Sequence, residues 1–298
     1  MKTHIMSLQK IVFFVLCVTA ILGCTREETI QPVDLFEEIE STDPLDVYLK
    51  EEFRDPYGSV IIYKFIDRYI DQRYKAVPPK KEVVKPIAEL IKQAWIEPYN
   101  QASDQGEAFL KKFFPGEIVI LGSPLFNGDG TIVLGTADSG VRVTLTQANN
   151  YAPGNNAWII QTFHTLHHEF AHIIDQNFNF DIEAFYQISG DDYTSNGTWF
   201  SITENDAITR GMVTPYGTSA VGEDFAELIA TIITTTPEEF DEKYITPEDC
   251  TGEGQDCLDR NKGRERIKQK YDVVVKYMSE DVGIDLIKLR DEFLKSIN

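Results

Sequence analysis

"HTLHHEFAHIIDQ", His164 to Gln176, decides how this chain folds and what it does. It holds four of the five histidines in 298 residues; the fifth, His4, lies near the N-terminus. His168, Glu169 and His172 form H-E-x-x-H. On a helix, positions i and i+4 stand one turn apart on one face, so both imidazoles can reach one Zn²⁺. Glu169, offset by about 100°, borders that face, where its carboxylate can take a proton from an attacking water. Phe163, Leu166, Phe170 and Ile174 recur at spacings of three and four and predict a buried stripe opposite the ligands. His164, one turn before His168, either supports the ligands from outside or sits on the rim, with the rim favoured, and His167, turned about 100° from the ligand face, reads as partly exposed. Asp175, seven residues after His168 and almost in its direction, reads equally as an acceptor of an imidazole N–H and as an ordinary exposed carboxylate. The competing reading is a polar helix with fortuitous histidines, and the lack of histidine elsewhere weighs against it.

That lack also restricts the third ligand. No histidine follows His172. Cys250 and Cys257 flank "TGEGQD", a polar loop that can bring two sulfurs together, and in an oxidising compartment they form a local disulfide. A carboxylate must therefore complete the site, with one position left open for water. In "PYGTSAVGEDFAELIA" (Pro215 to Ala230), Glu223 and Glu227 share a helix face, so one can ligate while the other supports a histidine. Helix phase alone does not separate them. Asp181, nine residues past His172, and Asp191 and Asp192 in "SGDD" are rivals.

H-E-F-A-H followed by Y-G-x(5)-E-x-F-A-E resembles the gluzincin peptidases of lethal-factor type. Carried over, the resemblance makes Glu223 the third zinc ligand, leaves Glu227 as support, and makes Tyr216 the donor to the transition state. Leader, size and motif order are more closely similar to zinc metallopeptidase lipoproteins associated with substrate import at bacterial surfaces. This implies a zincin-like fold, one Zn²⁺, a peptide or protein substrate, and an importer complex of the outer membrane as partner.

The N-terminus agrees with export. Lys2 and Lys10 precede "IVFFVLCVTAILG", whose thirteen residues are too few to span a bilayer but suit a signal-peptide core. "ILGC" resembles a bacterial lipobox, after which cleavage leaves Cys24 lipidated. Acyl chains contribute about 0.8 kcal/mol per buried methylene, so several make a durable anchor. The expected division is a leader over 1–23, an acidic tether over 24–44 and a single metallopeptidase domain over 45–298. Acidic residues behind Cys24 resemble surface-export signals. With 48 Asp+Glu against 28 Lys+Arg and a net charge of -20, the chain offers no basic surface for nucleic acid or anionic membrane.

Helical spacing dominates from about Leu45 to Lys112, with Ile87, Leu90, Ile91, Ala94 and Trp95 in phase after Pro86 in a first turn. "EIVILGS" (Glu117 to Ser123), "TIVLGT" (Thr131 to Thr136) and "VRVTLTQ" (Val141 to Gln147) read as strands, the last two joined by "DSG" as a hairpin. Helices follow around His168, around Asp224 and from Arg266 onward, restarting after Gly283 near Asp285. The fold expected is α+β, a small mixed or antiparallel sheet with an H-E-x-x-H helix and helical flanks. Metal-assisted peptide hydrolysis with Glu169 as base is the function expected, the substrate pairing with the edge of the "VRVTLTQ" strand. A non-catalytic zinc-containing lipoprotein serving an importer is the alternative. Retention of Glu169 speaks against it, because a structural site needs no base.

Overall fold

The computed structural model describes residues 41–298 except 129–131, 134, 139–140, 195–197 and 298. The leader, Cys24 and most of the tether lie outside the described residues, as do Ser139 and Gly140 of the expected hairpin turn. From Asp43 onward the chain is one compact unit. Asp43 caps helix α1 (Pro44–Leu49) by accepting from Leu45 N. There follow α2 (Lys81–Ile91), α3 (Glu97–Ala102) and α4 (Gly106–Phe113). Pro86 lies inside α2 rather than in its first turn. Burial of Val84, Ile87, Ala88 and Ile91 on one face outweighs the single backbone donor that proline removes.

Among the described residues six strands form two sheets: β1 (Val60–Ile62), β2 (Glu117–Ile120), β3 (Leu125–Phe126), β4 (Ile132–Val133), β5 (Gly135–Asp138) and β6 (Arg142–Leu145). The main sheet is mixed, in the order β1-β2-β6-β5, parallel except for β5 against β6. Three sequence expectations change. β1 sits inside the stretch read as helical, because a strand of three residues leaves too little alternation to see. "TIVLGT" is divided, Ile132–Val133 pairing with β3 and Gly135 onward with β6. And "VRVTLTQ" is not an edge: β6 is flanked on both sides, leaving β5 and β1 as the outer strands.

Across this sheet lies α5 (Asn156–Phe178), in contact with β5 and β6. It starts well before the histidines, capped by Asn155, whose side chain accepts from Trp158 N at 3.2 Å. It ends at Asn179 in the left-handed region (φ 50°). Phe163, Leu166, Phe170 and Ile174 are buried, with Trp95 and Tyr99 edge-on to Phe170 at 5.4 and 5.2 Å. Further helices are α6 (Ile182–Ser189), α7 (Glu204–Arg210), α8 (Val221–Thr234), α9 (Gln255–Tyr277) and α10 (Leu286–Ser296). α8 packs along α5, and α10 packs against α3 and α8. The break before α10 follows the sequence reading: Gly283 takes φ 80°, and Asp285 caps the next helix through Ile287 N and Lys288 N. α9 crosses α7 at Gly263, where a Cβ would stand 1.8 Å from Ile208 O, so only glycine fits.

Candidate metal centre

α5 presents a buried His168 and a partly buried His172 on one face, and α8 brings Glu223 to meet them. His168 Nε2 and His172 Nε2 are 3.2 Å apart, and Glu223 Oε2 lies 3.1 and 3.3 Å from them. Among the described residues this is the one group of three or more His, Cys, Asp or Glu side chains able to hold an ion. Four ligands about 2.0–2.1 Å from zinc stand roughly 3.3 Å apart in a tetrahedron, so the triangle matches one face and leaves the fourth corner open. Glu223 Oε2 is buried, with the two imidazole nitrogens facing it. Three electron-rich atoms turned towards one another are a donor set for a cation, and the residues fit zinc.

Glu227, one turn on from Glu223, stands behind His168 with Oε1 2.7 Å from Nδ1. A proton on Nδ1 leaves the Nε2 lone pair free to face the triangle. Glu227 is itself held, receiving Thr214 Oγ1 on Oε2 at 2.7 Å and facing His164 Nε2 at 3.3 Å. His164 Nδ1 reaches Thr234 Oγ1 at 3.3 Å. Of the two places that spacing left open for His164, contact with the support of a ligand is the one it takes, and spacing missed Thr214, which acts through a tertiary contact of α8. Asp175 receives the Phe180 backbone N–H instead of bonding either ligand, and burial raises its carboxyl. Asp181 caps α6 through Ala184 N, Asp192 pairs with Arg266 Nη1 at 2.5 Å, and Asp191 is exposed.

Electrostatics follow from this crowding. Burial disfavours a charged His168, but Glu223 and Glu227 outweigh it and push the imidazole up to about 10. Burial likewise disfavours an ionised Glu223, and the two imidazoles bring it down to about 2. A pocket that draws a proton so strongly draws a divalent cation for the same reason. His167 is not partly exposed as its helix angle suggested; it is wholly buried, stacked on Tyr99 at 5.9 Å and edge-on to Phe293. The back of α5 is covered too, and burial pushes His167 down to about 3.

Glu169 is half-buried, and its charge is felt at both His168 and Tyr216. The Tyr216 ring lies 5.7 Å from that of His168. Burial first, then the charges of Glu223 and Glu169, raise its hydroxyl, which stays a neutral donor at neutral pH. Cys250 and Cys257 are bonded to each other.

The family described as "putative zinc-binding metallo-peptidase" matches residues 38–287. The chain belongs to this family. A crystal structure from Bacteroides caccae bearing the same description is similar, at 30% identity and a TM-score of 0.67, over 85% of this chain and 91% of that one. No curated protein matches. The family's description and the donor set agree on zinc.

Proposed function

We propose that the chain is a zinc-dependent peptidase of gluzincin type in which Glu169 is the general base. The observation that carries this reading is the convergence of His168 Nε2, His172 Nε2 and Glu223 Oε2 within 3.3 Å, with Glu169 bordering them and belonging to none of the three. Zinc held there supplies Lewis acidity, bringing the pKa of a water towards about 7 and polarising a carbonyl. Glu169 takes the proton as the water oxygen attacks the carbonyl carbon, then hands it to the amine as the C–N bond breaks. Tyr216 donates to the oxygen that gains charge. Glu227 keeps His168 oriented. The outer edge of β5, beside α5, offers backbone groups to an extended peptide. Lys2, Lys10, the apolar core and Cys24 support export, lipidation and display on the outer membrane, with an importer as partner.

Glu169→Gln keeps the shape and cannot accept a proton at neutral pH. Hydrolysis of a mixed peptide library falls by about 10²–10⁴-fold while zinc content stays at the wild-type level. Unchanged cleavage removes Glu169 as base. Absence of cleavage by zinc-loaded wild type turns the reading to a zinc-containing binding lipoprotein.

A further inference from the structure

The turn carrying Tyr216 has an aromatic neighbour with no role so far. Trp199 and Phe200 open a 3-10 turn, Trp199–Ser201. The Trp199 ring lies 5.1 Å from Tyr216 at 74°, continuing outward the contact that Tyr216 makes with His168. Phe200 stands 6.3 Å from Trp199 at 76° and is 55% exposed. Two aromatic faces at right angles thus extend one wall of the metal centre into solvent. That wall is anchored. Thr194 N and Oγ1 both donate to Thr218 O, at 2.7 and 3.1 Å, tying the preceding chain to the turn of Tyr216. Tyr193 donates to Asp224 at the base of α8, and beyond the turn Thr203 and Asp206 close a reciprocal cap on α7.

Wet aromatic surface is unfavourable, and rings set at right angles complement a third ring entering edge-on or offset at about 4.5–7 Å. We infer that Trp199 and Phe200 form a specificity subsite that takes a large aromatic or apolar side chain of the peptide laid across the metal centre. The inference rests on the peptidase reading for its substrate class.

Binding to zinc-loaded Glu169→Gln protein tests it without turnover. The probes are capped octapeptides of alanine and glycine carrying one Phe moved through the positions, a matching Lys series, and the parent with neither. One register of Phe binds about 10–100-fold tighter than the parent. That gain falls close to the parent's level in Trp199→Ala and in Phe200→Ala, each with zinc content retained. Equal binding of Phe and parent peptides, a preference for Lys, an undiminished gain in both variants, or no binding at all overturns the subsite. Cleavage of the same peptides by wild type keeps the two readings apart. A Trp199-dependent Phe preference without any cleavage retains the subsite and removes the peptidase; cleavage indifferent to Phe does the reverse.

Discussion

Glu223 and Asp224 are neighbours on α8, and their carboxylates live in opposite conditions. Glu223 is about a quarter exposed, and its Oε2 faces two imidazole nitrogens at 3.1 and 3.3 Å across the candidate ion site. Asp224 is 1% exposed and fully employed: Lys270 Nζ lies 2.5 Å from Oδ2, and Tyr193 donates to the same oxygen at 2.7 Å. Lys270, equally buried, also donates to Gly211 O at 2.8 Å. One residue of helical rotation, about 100°, therefore separates a carboxylate left open to a ligand from one sealed into the frame. The sealed carboxylate fixes α8 against α9, and the one facing the imidazoles is where chemistry can occur.

The comparison breaks most visibly if the buried partner is removed. Lys270→Met leaves Asp224 as an unpaired buried charge, and loss of one partner of a buried pair costs about 3–5 kcal/mol. At about 2–4 °C per kcal/mol for a domain of this size, Tm falls on the order of 10 °C. Folded Lys270→Met still binds zinc, because the triangle keeps its three residues. A Tm within about 2 °C of wild type would show that the pair is not what holds α8.

Zinc affinity sharpens the contrast from the other side. Glu223→Ala removes a ligand atom and should abolish stoichiometric zinc. Glu227→Ala removes no ligand atom but takes away the support of His168 together with the Thr214 and His164 contacts, and should weaken zinc by about 10–100-fold. Competition with a chelator of known affinity orders the two; a larger loss in Glu227→Ala would exchange their roles.

Much of this was legible from spacing. A period of 3.6 put His168 and His172 on one face and Phe163, Leu166, Phe170 and Ile174 on another, and a glycine with a following aspartate marked the start of α10. What spacing does not carry is the partner of each face. Glu223 and Glu227 share a face of α8, and only packing on α5 sets one towards the triangle and the other behind His168. Asp224 and Lys270 lie 46 residues apart on different helices, a pairing that spacing along one helix does not carry. β1 was too short to read, and His167 looked exposed because α10 arrives from the far end of the chain.

A third carboxylate, Glu248, tests the rule at its weak end, being paired like Asp224 but exposed like Glu223. Arg260 Nη2 and Arg264 Nη2 each donate to it at 2.6 Å, and those bonds hold it down to about 2 against an ordinary value of 4.5. Because the folded state lowers this pKa, the stabilisation is complete above about 4.5 and is lost as pH falls towards about 2. A side chain 36% exposed is well screened, so the worth of the clamp is below about 1 kcal/mol. Urea unfolding of wild type and Glu248→Gln should differ by that small amount at pH 7, with the gap closing steadily between pH 4.5 and 2. A gap as wide at pH 3 as at pH 7 would mean the arginines do not hold Glu248 ionised. A gap of several kcal/mol would mean that pairing outweighs burial in this protein, and the contrast between Glu223 and Asp224 would then need another cause.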